Sequence, residues 1–236
     1  MRPIPIQCTV TGKRSLTPTV YELDFVSEPE FSFKAGQFVS VVVPGKGPGG
    51  RDIRRAYSIA SAPEHRPVQL CIKLLEDGPG SNYLNDLKIG DPFKAFAPYG
   101  DFVLKTPKGR SIVFVATGTG IAPFRSMVLS KDFDRDAYGA FSVLFGAREE
   151  SEQLYTAEMS KALGAQFVMA LTKAKPAFVG YHGRVTNYLR AHLKDFDLPN
   201  TDFYLCGNGG MITEVKEILM SQGVPKTSVH QEIYYK

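Results

Sequence analysis

The stretch SIVFVATGTGIAPFRSMVLS, residues 111–130, decides how the second half of the chain folds. It runs from a buried-strand pattern through Gly118–Gly120 into a helical pattern, with Pro123 in the first helical turn, where its missing N–H removes no bond. Backbone amides at such a helix start can face a phosphate. The motif therefore predicts a nucleotide-binding turn. A tight structural turn is the alternative, because the third glycine of the dinucleotide fingerprint is absent.

Three further pairs of strand-like and helix-like runs follow this unit. The strand-like runs are FSVLFGA, QFVMALT and DFYLCG, and the helix-like runs after them are EQLYTAEMSKAL, VTNYLRAHL and MITEVKEILMSQ. Strands that alternate with helices favour a parallel sheet with helices on both faces. We therefore expect a doubly wound, parallel, five-stranded α/β sheet.

The N-terminal part of the chain has a different pattern. Short apolar or alternating runs, separated by glycine and proline, extend from residue 4 to residue 104: IQCTVTG, VYELDFV, GQFVSVVVP, AYSIAS, VQLCIKLL and PFKAFAP. This spacing is typical of an antiparallel barrel or sandwich. The pattern changes at KTPKGR, so we place a boundary near Thr106. We predict two domains, an antiparallel β-barrel over residues 1–106 and the α/β domain over residues 107–236.

Composition excludes several classes of protein. With 43% hydrophobic and 22% charged residues, the chain is able to bury a full core, which argues against disorder. The net charge of +4 is spread over both halves and gives no support for nucleic-acid binding. No apolar run approaches the roughly 20 residues of a membrane helix, and no signal-peptide core is present, so we expect a cytoplasmic protein. The widely spaced Cys8, Cys71 and Cys206 predict no metal or iron-sulfur site.

A cluster of a different kind lies in RDIRRAYSIAS, residues 51–61. Because side chains alternate along a strand, Arg55 and Tyr57 should point to one side and Ser58 to the other. Together they offer a guanidinium for phosphate, an aromatic plane for stacking and a hydroxyl for a ring heteroatom. Ordinary strand surface is the alternative interpretation of these residues taken alone.

Seven motifs together resemble one known family. They are RAYSIAS (55–61), GPGSNYLNDLKIGD (78–91), APYGDF (97–102), ATGTGIAP (116–123), LFGAREESEQLY (144–155), FYLCGNGGM (203–211) and QEIYY (231–235). Their order and spacing resemble those of the ferredoxin-NADP+ reductase family over essentially the whole chain. The resemblance implies an N-terminal FAD-binding barrel and a C-terminal NAD(P)-binding domain whose tail returns to the flavin.

The same resemblance implies a set of FAD contacts. Arg55 would pair with the pyrophosphate, Tyr57 would stack on the isoalloxazine, and Ser58 would hydrogen-bond near flavin N5. Ser81 would make a second phosphate contact at a helix start, with a purely structural role as N-cap as the alternative. The full set is Arg55, Ala56, Tyr57, Ser58, Cys71, Ile72, Lys73, Gly80, Ser81, Thr119, Tyr234 and Tyr235. Residues 71–73 would act through backbone groups, and a buried structural thiol is the alternative for Cys71.

On the nucleotide side, the resemblance implies that the 118–123 turn cradles the pyrophosphate. Gly207 would admit the nicotinamide because no Cβ intrudes, and Cys206 would lie beside the reacting carbon or be merely a buried thiol. Asn208 departs from the proline that many relatives have. The full set is Gly118, Thr119, Gly120, Pro123, Arg148, Arg184, Cys206, Gly207 and Met211.

Two arginines bear on the choice of nucleotide. Arg148 and Arg184 could bind the 2′-phosphate of NADP(H), because phosphate prefers guanidinium forks. Glu149 and Glu150 follow Arg148 directly, and NADH-using relatives also carry an arginine there. A solvated helix-start residue is the alternative for Arg184, and NADPH is the nucleotide we expect.

The chain ends in QEIYYK, which carries the family's Glu-x-Tyr pattern. By resemblance, Glu232 lies near the flavin–serine pair, Tyr234 covers the flavin face and gates nicotinamide entry, and Tyr235 stacks on adenine. An ordinary last strand is the alternative. With Ser58 and Cys206, Glu232 and Tyr234 complete the implied catalytic set.

The activity that the resemblance implies is transfer of hydride from NADPH to flavin N5 and of single electrons to an acidic carrier, ferredoxin or flavodoxin, or the reverse. One alternative is an NADH-using reductase component of an oxygenase or other multi-component system. A further alternative is a non-catalytic nucleotide-binding docking subunit. The sequence leaves the oligomeric state open, with a monomer as the expectation.

The loop GKGPGGRDIRR, residues 45–55, is locally basic. It carries Lys46, Arg51, Arg54 and Arg55 against Asp52 alone. Such a loop could steer an acidic carrier towards the protein, or it could fold over the FAD adenine.

Overall fold

The computed structural model describes residues 2–235, and the side chain of Tyr235 lies outside that description. The chain forms two compact units. The first comprises Met1–Leu104 and Ala122–Lys131, and the second comprises Lys105–Ile121 and Asp132–Lys236.

Six antiparallel strands and the helix α1 form the N-terminal part of the first unit. Its elements are β1 (Ile4–Thr17), β2 (Val20–Glu28), β3 (Phe38–Val43), β4 (Ile53–Ser58), β5 (Val68–Lys73), α1 (Pro79–Asp86) and β6 (Pro92–Tyr99). The strands are hydrogen-bonded in the order β4-β3-β6-β1-β2-β5. An isolated antiparallel bridge between Ile59 and Leu70 joins the two ends of this order, so the predicted antiparallel barrel is confirmed.

Alternating apolar residues form the core of the first unit. In β3, Val39, Val41 and Val43 have no exposed surface, while the residues between them are half-buried. Phe25 and Phe93 pack edge to face from neighbouring parts of the sheet, with ring centroids 5.4 Å apart. Each fully buried apolar side chain of this kind contributes about 1.5–3 kcal/mol. The strand that carries the basic and aromatic cluster is thus one wall of a packed barrel.

The second unit is a parallel sheet with helices. Its strands are β7 (Ser111–Thr117), β8 (Phe141–Ala147), β9 (Phe167–Leu171), β10 (Tyr181–His182), β11 (Thr201–Asn208) and β12 (Val229–Tyr235). The remaining helices are α2 (Ile121–Leu129), α3 (Thr156–Leu163), α4 (Val185–His192) and α5 (Gly209–Ser221). α2 belongs to the first unit from Ala122 onward. None of the helices within residues 2–235 has the length and apolar character that a membrane crossing requires.

Strand order locates the ligand-binding edge of this sheet. The order is β10-β9-β8-β7-β11-β12, so the chain proceeds from β7 in one direction and then returns to β11 on the other side. In a doubly wound sheet, ligands bind outside the carboxyl ends of the strands at this reversal. The predicted doubly wound architecture is confirmed. The sheet has one strand more than the expected five. The sequence does not predict the extra strand, β10, because it is only two residues long and has no strand-like pattern of its own.

Candidate functional site

The end of β4 and the start of α1 meet around Gly80. A Cβ atom on Gly80 would lie 2.5 Å from Tyr57 Oη and 2.8 Å from Arg55 Cγ, closer than real contacts allow. Glycine therefore fits here without displacing either side chain. The arrangement brings a cation, an aromatic ring and the N-terminal turn of a helix around one small space, which suits an anionic ligand with a planar ring.

Alternation along β4 gives its two arginines different surroundings. The guanidinium carbon of Arg54 lies 3.8 Å from the centroid of the Phe96 ring, a stacked cation–π contact. Arg55 lies beside Gly80 instead, is exposed, and donates from Nη1 to the Arg54 carbonyl at 2.8 Å. Ala56, which lies between Arg55 and Tyr57, is also exposed. Arg55 is thus the arginine of this strand that can reach a phosphate at α1.

Ser81 does not cap the helix as its sequence position suggested. α1 begins at Pro79 after Gly78, so Ser81 lies inside the first turn. Its Oγ donates to the Gly78 carbonyl and accepts from the Leu75 N–H, both at 3.1 Å. Its own carbonyl accepts from Tyr21 Oη at 2.9 Å. The Ser81 hydroxyl is therefore used to hold the loop before α1, and we expect any phosphate contact to come from backbone amides.

Ser58 is the last residue of β4 and is buried. The other expected FAD contacts in this unit lie on β5, where Cys71 and Ile72 are buried and Lys73 is exposed. Since the first two side chains point into packed surroundings, their backbone groups are their means of reaching a ligand. The backbone role expected for residues 71–73 stays a prediction.

The turn Gly118–Gly120 in the second unit is a single 3-10 turn between β7 and α2. Gly118 has a φ of 54°, in the left-handed region, and a Cβ there would meet nothing within 4 Å. A Cβ on Gly120, in contrast, would lie 2.3 Å from the Cys206 carbonyl oxygen. The turn thus packs its backbone directly against β11 and leaves open space beside Gly118 for a phosphate. Thr119 and Pro123 are buried within this turn and the helix after it.

The carboxyl end of β11 is shaped by Gly207 and Asn208. Gly207 has a φ of 131°, and a Cβ there would lie 2.5 Å from both the carbonyl oxygen and Oγ1 of Thr117. The Asn208 N–H donates to the same Thr117 Oγ1 at 3.1 Å. Asn208 Oδ1 also accepts from the N–H groups of Gly210 and Met211, at 2.9 and 3.3 Å. Asn208 therefore caps α5.

Three predicted catalytic residues meet at this edge. Cys206 on β11 is paired in register with Glu232 on β12, and it has no exposed surface. Burial raises the pKa of the Cys206 thiol well above its usual value, the Glu232 carboxylate raises it further, and a hydrogen bond with Tyr234 opposes both effects. The thiol is therefore neutral at physiological pH. Glu232 and Tyr234 are half-buried, and the predicted role of the Tyr235 ring lies outside the described residues.

Arg148 and Arg184 are both exposed and lie near acids. The Arg148 N–H donates to Glu152 Oε2 at 3.0 Å. Arg184 Nη1 lies 4.0 Å from Glu214 Oε2. A third cation was missed by sequence reasoning: the Lys173 N–H donates to the Arg148 carbonyl at 2.7 Å. Lys173 follows β9 just as Arg148 follows β8. Because the carboxyl ends of neighbouring parallel strands meet at one edge, this shared position is the sequence signal that predicts Lys173 near Arg148.

The structure gives no indication of a metal centre within the part of the chain that it describes. No group of three or more histidine, cysteine, aspartate or glutamate side chains among residues 2–235 is arranged to hold a metal ion.

Comparison with known proteins assigns the chain to a family. The family model for the oxidoreductase FAD-binding domain matches residues 7–104, and that for the oxidoreductase NAD-binding domain matches residues 114–217. Ferredoxin-NADP reductase B of Sorangium cellulosum is 35% identical, with 98% of each chain covered. The chain belongs to the ferredoxin-NADP+ reductase family. It is therefore an FAD-dependent oxidoreductase, as the resemblance implied.

Two further similarities show how widely this family's two-domain module is used. The reductase component of phenol 2-monooxygenase from a Pseudomonas species is 30% identical over 96% of this chain, but the chain spans only 64% of that protein. The structure of a ferredoxin NADP+ reductase from Neisseria gonorrhoeae with bound FAD and NADP has a TM-score of 0.84, at 21% identity and 98% coverage of both chains. The latter is evidence for the fold.

The residues present fit the family's cofactors. In the first unit, the absence of a Cβ at Gly80 lets Arg55 and Tyr57 lie against the start of α1, and an adenine dinucleotide needs such a meeting of phosphate donors and an aromatic ring. In the second unit, the open space beside Gly118 suits the phosphates of a pyridine nucleotide, whereas a Cβ at Gly207 would point at Thr117, so the glycine there serves the close packing of β11 against β7.

Proposed function

We propose that this reductase oxidises NADPH through FAD and passes single electrons to a small acidic carrier protein, ferredoxin or flavodoxin, or runs in the reverse direction. The observation that carries the proposal is the meeting of Cys206, Glu232 and Tyr234 beside Gly207. A sheet edge that served only folding would gain little from a buried thiol whose pKa is raised by a neighbouring carboxylate and lowered by a phenol. The Sorangium relative, which matches over nearly its full length, supports the carrier class.

Each residue would contribute in its own way. Bound FAD supplies the conversion between two-electron and one-electron transfer. Arg55 and the first amides of α1 bind its phosphates, Tyr57 stacks on its rings, and Ser58 offers a hydrogen bond to a ring nitrogen. Gly118–Gly120 holds the nucleotide pyrophosphate, and Gly207 lets β11 lie close to Thr117 at the edge where the nicotinamide would bind.

Three cations support NADPH over NADH. Arg148 and Lys173 lie side by side across β8 and β9, and Arg184 precedes α4. A 2′-phosphate gains charge-assisted hydrogen bonds from such groups that NADH never makes. Two acids compete with it, since Glu149 pairs with Lys173 at 3.3 Å and Glu214 lies 4.0 Å from Arg184. The two cations are largely exposed, as is Glu149, while Glu214 is half-buried, so exchanging these pairs for phosphate contacts costs little.

An anaerobic experiment tests the proposal. The FAD-loaded protein is mixed with NADPH or NADH, flavin absorbance reports reduction, and ferredoxin or flavodoxin is then added. Faster reduction by NADPH, followed by reoxidation by either carrier, would support the proposal. A protein that binds no FAD would contradict it and favour a non-catalytic docking subunit.

A second candidate is the reductase component of an oxygenase or another multi-component system. The observation that favours it is the 30% identity to the phenol 2-monooxygenase reductase component. Preference for NADH and reoxidation by an oxygenase component rather than by ferredoxin would decide for it. The expected flavin contact of the C-terminal tail and the cytoplasmic location stay predictions.

A further inference from the structure

The segment that follows Ser58 is held from outside its strand. After β4 ends, Ile59, Ala60 and Ser61 continue as buried chain. The Arg125 Nη1 donates to the Ala60 carbonyl at 2.9 Å, and the Ser126 Oγ donates to the Ser61 carbonyl at 2.7 Å. Both donors lie on α2. Two consecutive carbonyls next to Ser58 are thus fixed by two consecutive residues of one helix.

Arg125 is an unusual residue to find at this position. It is only 6% exposed, and Glu22, whose Oε2 lies 4.0 Å from Arg125 Nη1, is only 3% exposed. Gln69 bridges the two: its Oε1 accepts from Arg125 Nη1 at 3.0 Å and its Nε2 donates to Glu22 Oε1 at 3.3 Å. Replacing buried charges by apolar residues is often neutral or stabilising, so their presence calls for a role other than stability.

The amides of the same segment are held from the other side. The Ile59 N–H donates to the Gln37 carbonyl at 3.0 Å, and the Ala60 N–H donates to the Gln69 carbonyl at 2.8 Å. The Gln69 N–H in turn donates to Ser61 Oγ at 3.1 Å. Gln69 therefore links the backbone next to Ser58 with the Arg125 side chain, through its main chain and its side chain together.

We propose that Arg125, with Glu22 and Gln69, is a positioning residue for Ser58. Its guanidinium fixes the backbone beyond the strand end and so fixes where the Ser58 hydroxyl points. A planar, permanently charged fork can hold a carbonyl, an amide oxygen and a carboxylate in one arrangement, which a neutral side chain cannot do. The inference rests on the proposed function, because it assigns importance to the direction of a hydroxyl that would face the flavin ring.

The test uses the full-length, FAD-loaded protein with Arg125→Gln, Arg125→Lys and Ser126→Ala. The control is Arg14→Gln, because Arg14 pairs with the same Glu22 at 2.8 Å but lies on β1, whereas Arg125 lies on α2. Measured are the flavin reduction rate at saturating NADPH, the dissociation constants of FAD and NADPH, and hydrogen exchange at the Ile59 and Ala60 amides.

With Arg125→Gln, we expect the reduction rate to fall about tenfold to a hundredfold while both dissociation constants change little, because misplaced reacting groups slow the chemical step. Exchange at the Ile59 and Ala60 amides should rise about tenfold, with β6 unaffected. Arg125→Lys should recover part of the rate, and Arg14→Gln should match the wild type. If Arg125→Gln does not fold, Ser126→Ala replaces it in the test, because it keeps the buried charges. It should show a smaller loss of reduction rate and a smaller rise in amide exchange.

Unchanged reduction and exchange in the variants would overturn the inference. So would a loss of FAD affinity that accounts for the whole loss of rate, since Arg125 would then serve only to keep the fold. Failure of the proposed function itself would be visible separately, as a wild-type protein that NADPH does not reduce.

Discussion

At the residue scale, a single missing Cβ decides whether the FAD site can form. A Cβ atom added to Gly80 would lie 2.5 Å from Tyr57 Oη and 2.8 Å from Arg55 Cγ. We predict that Gly80→Ala displaces both side chains and weakens FAD binding about tenfold to a hundredfold, since losing a charge-assisted hydrogen bond costs about 1.5–3 kcal/mol. Titration of the flavin-free protein with FAD measures this. Asn82→Ala, farther along α1, is the control, and an unchanged affinity in Gly80→Ala would remove Arg55 and Tyr57 from the site.

Burial also decides the chemistry of single cysteines. It raises the pKa of Cys8 to about 12, and it raises that of Cys206 well above its usual value. Because the thiolate is the reactive form, we predict that iodoacetamide labels neither residue in the native protein at neutral pH and labels both after unfolding. Mass spectrometry of the labelled peptides checks this. Rapid native labelling of Cys206 would contradict its assigned environment.

At the element scale, the sequence predicts more of the strands and helices than of their ends. Hydrophobic periodicity places β7 and α2 within a residue or two, because a buried parallel strand and a helix repeat differently. It does not find β10, whose two residues are paired through their neighbour β9 and not by a pattern of their own. Nor does it place the start of α1, where Pro79 begins the helix ahead of the serine that looked like its cap.

The same reasoning predicts some site residues and misses others. Arg55 and Tyr57 are predicted from strand alternation, and Gly118 is predicted from its place between a buried strand and a helix start. Lys173 and Arg125 do not follow, because each acquires its role through a partner far away in the chain. Lys173 lies beside Arg148 only once β8 and β9 pair, and Arg125 reaches Ala60 only once α2 packs.

The stability of the fold should depend on pH through His230, which lies near the start of β12 beside β11. The rings of His230 and Tyr204 are stacked with centroids 4.4 Å apart. Burial lowers the pKa of His230, Asp202 opposes this, and Lys105 adds to it. A histidine whose pKa is lower in the folded protein stabilises the fold above its unfolded pKa of about 6.5, and this stability is lost as the pH falls through the folded value.

We therefore predict that the thermal midpoint falls on acidification below about pH 6.5, and that His230→Gln removes part of this fall. Thermal unfolding followed at several pH values measures it, with the exposed His65→Gln as the control. If the thermal midpoint falls equally steeply with pH in wild type and in His230→Gln, then His230 does not contribute to the loss of stability in acid.

At the scale of the whole molecule, the charge of +4 is modest, but the 45–55 loop concentrates cations. The loop is closed by its own hydrogen bonds, with the Gly47 N–H donating to the Arg51 carbonyl at 2.7 Å. The Gly45 N–H donates to Asp52 Oδ1 at 3.1 Å. The single acid of the loop is therefore engaged in its closure, while Lys46 and Arg51 are exposed. This distribution of charge makes the loop attract an acidic carrier more strongly than a neutral surface would.

The double change Lys46→Gln and Arg51→Gln tests which task the loop performs. If the loop steers a carrier, the second-order rate constant for electron transfer to ferredoxin should fall several-fold at low salt. The difference from wild type should vanish towards about 1 M salt, where the screening length is about 3 Å. Lys108→Gln with Lys161→Gln removes the same charge from the second unit and should leave that rate constant near its original value. FAD affinity should be unchanged in both double variants. A loss of FAD affinity with unaltered carrier kinetics would instead place the loop over the adenine, and equal losses with both double variants would reduce the effect to net charge.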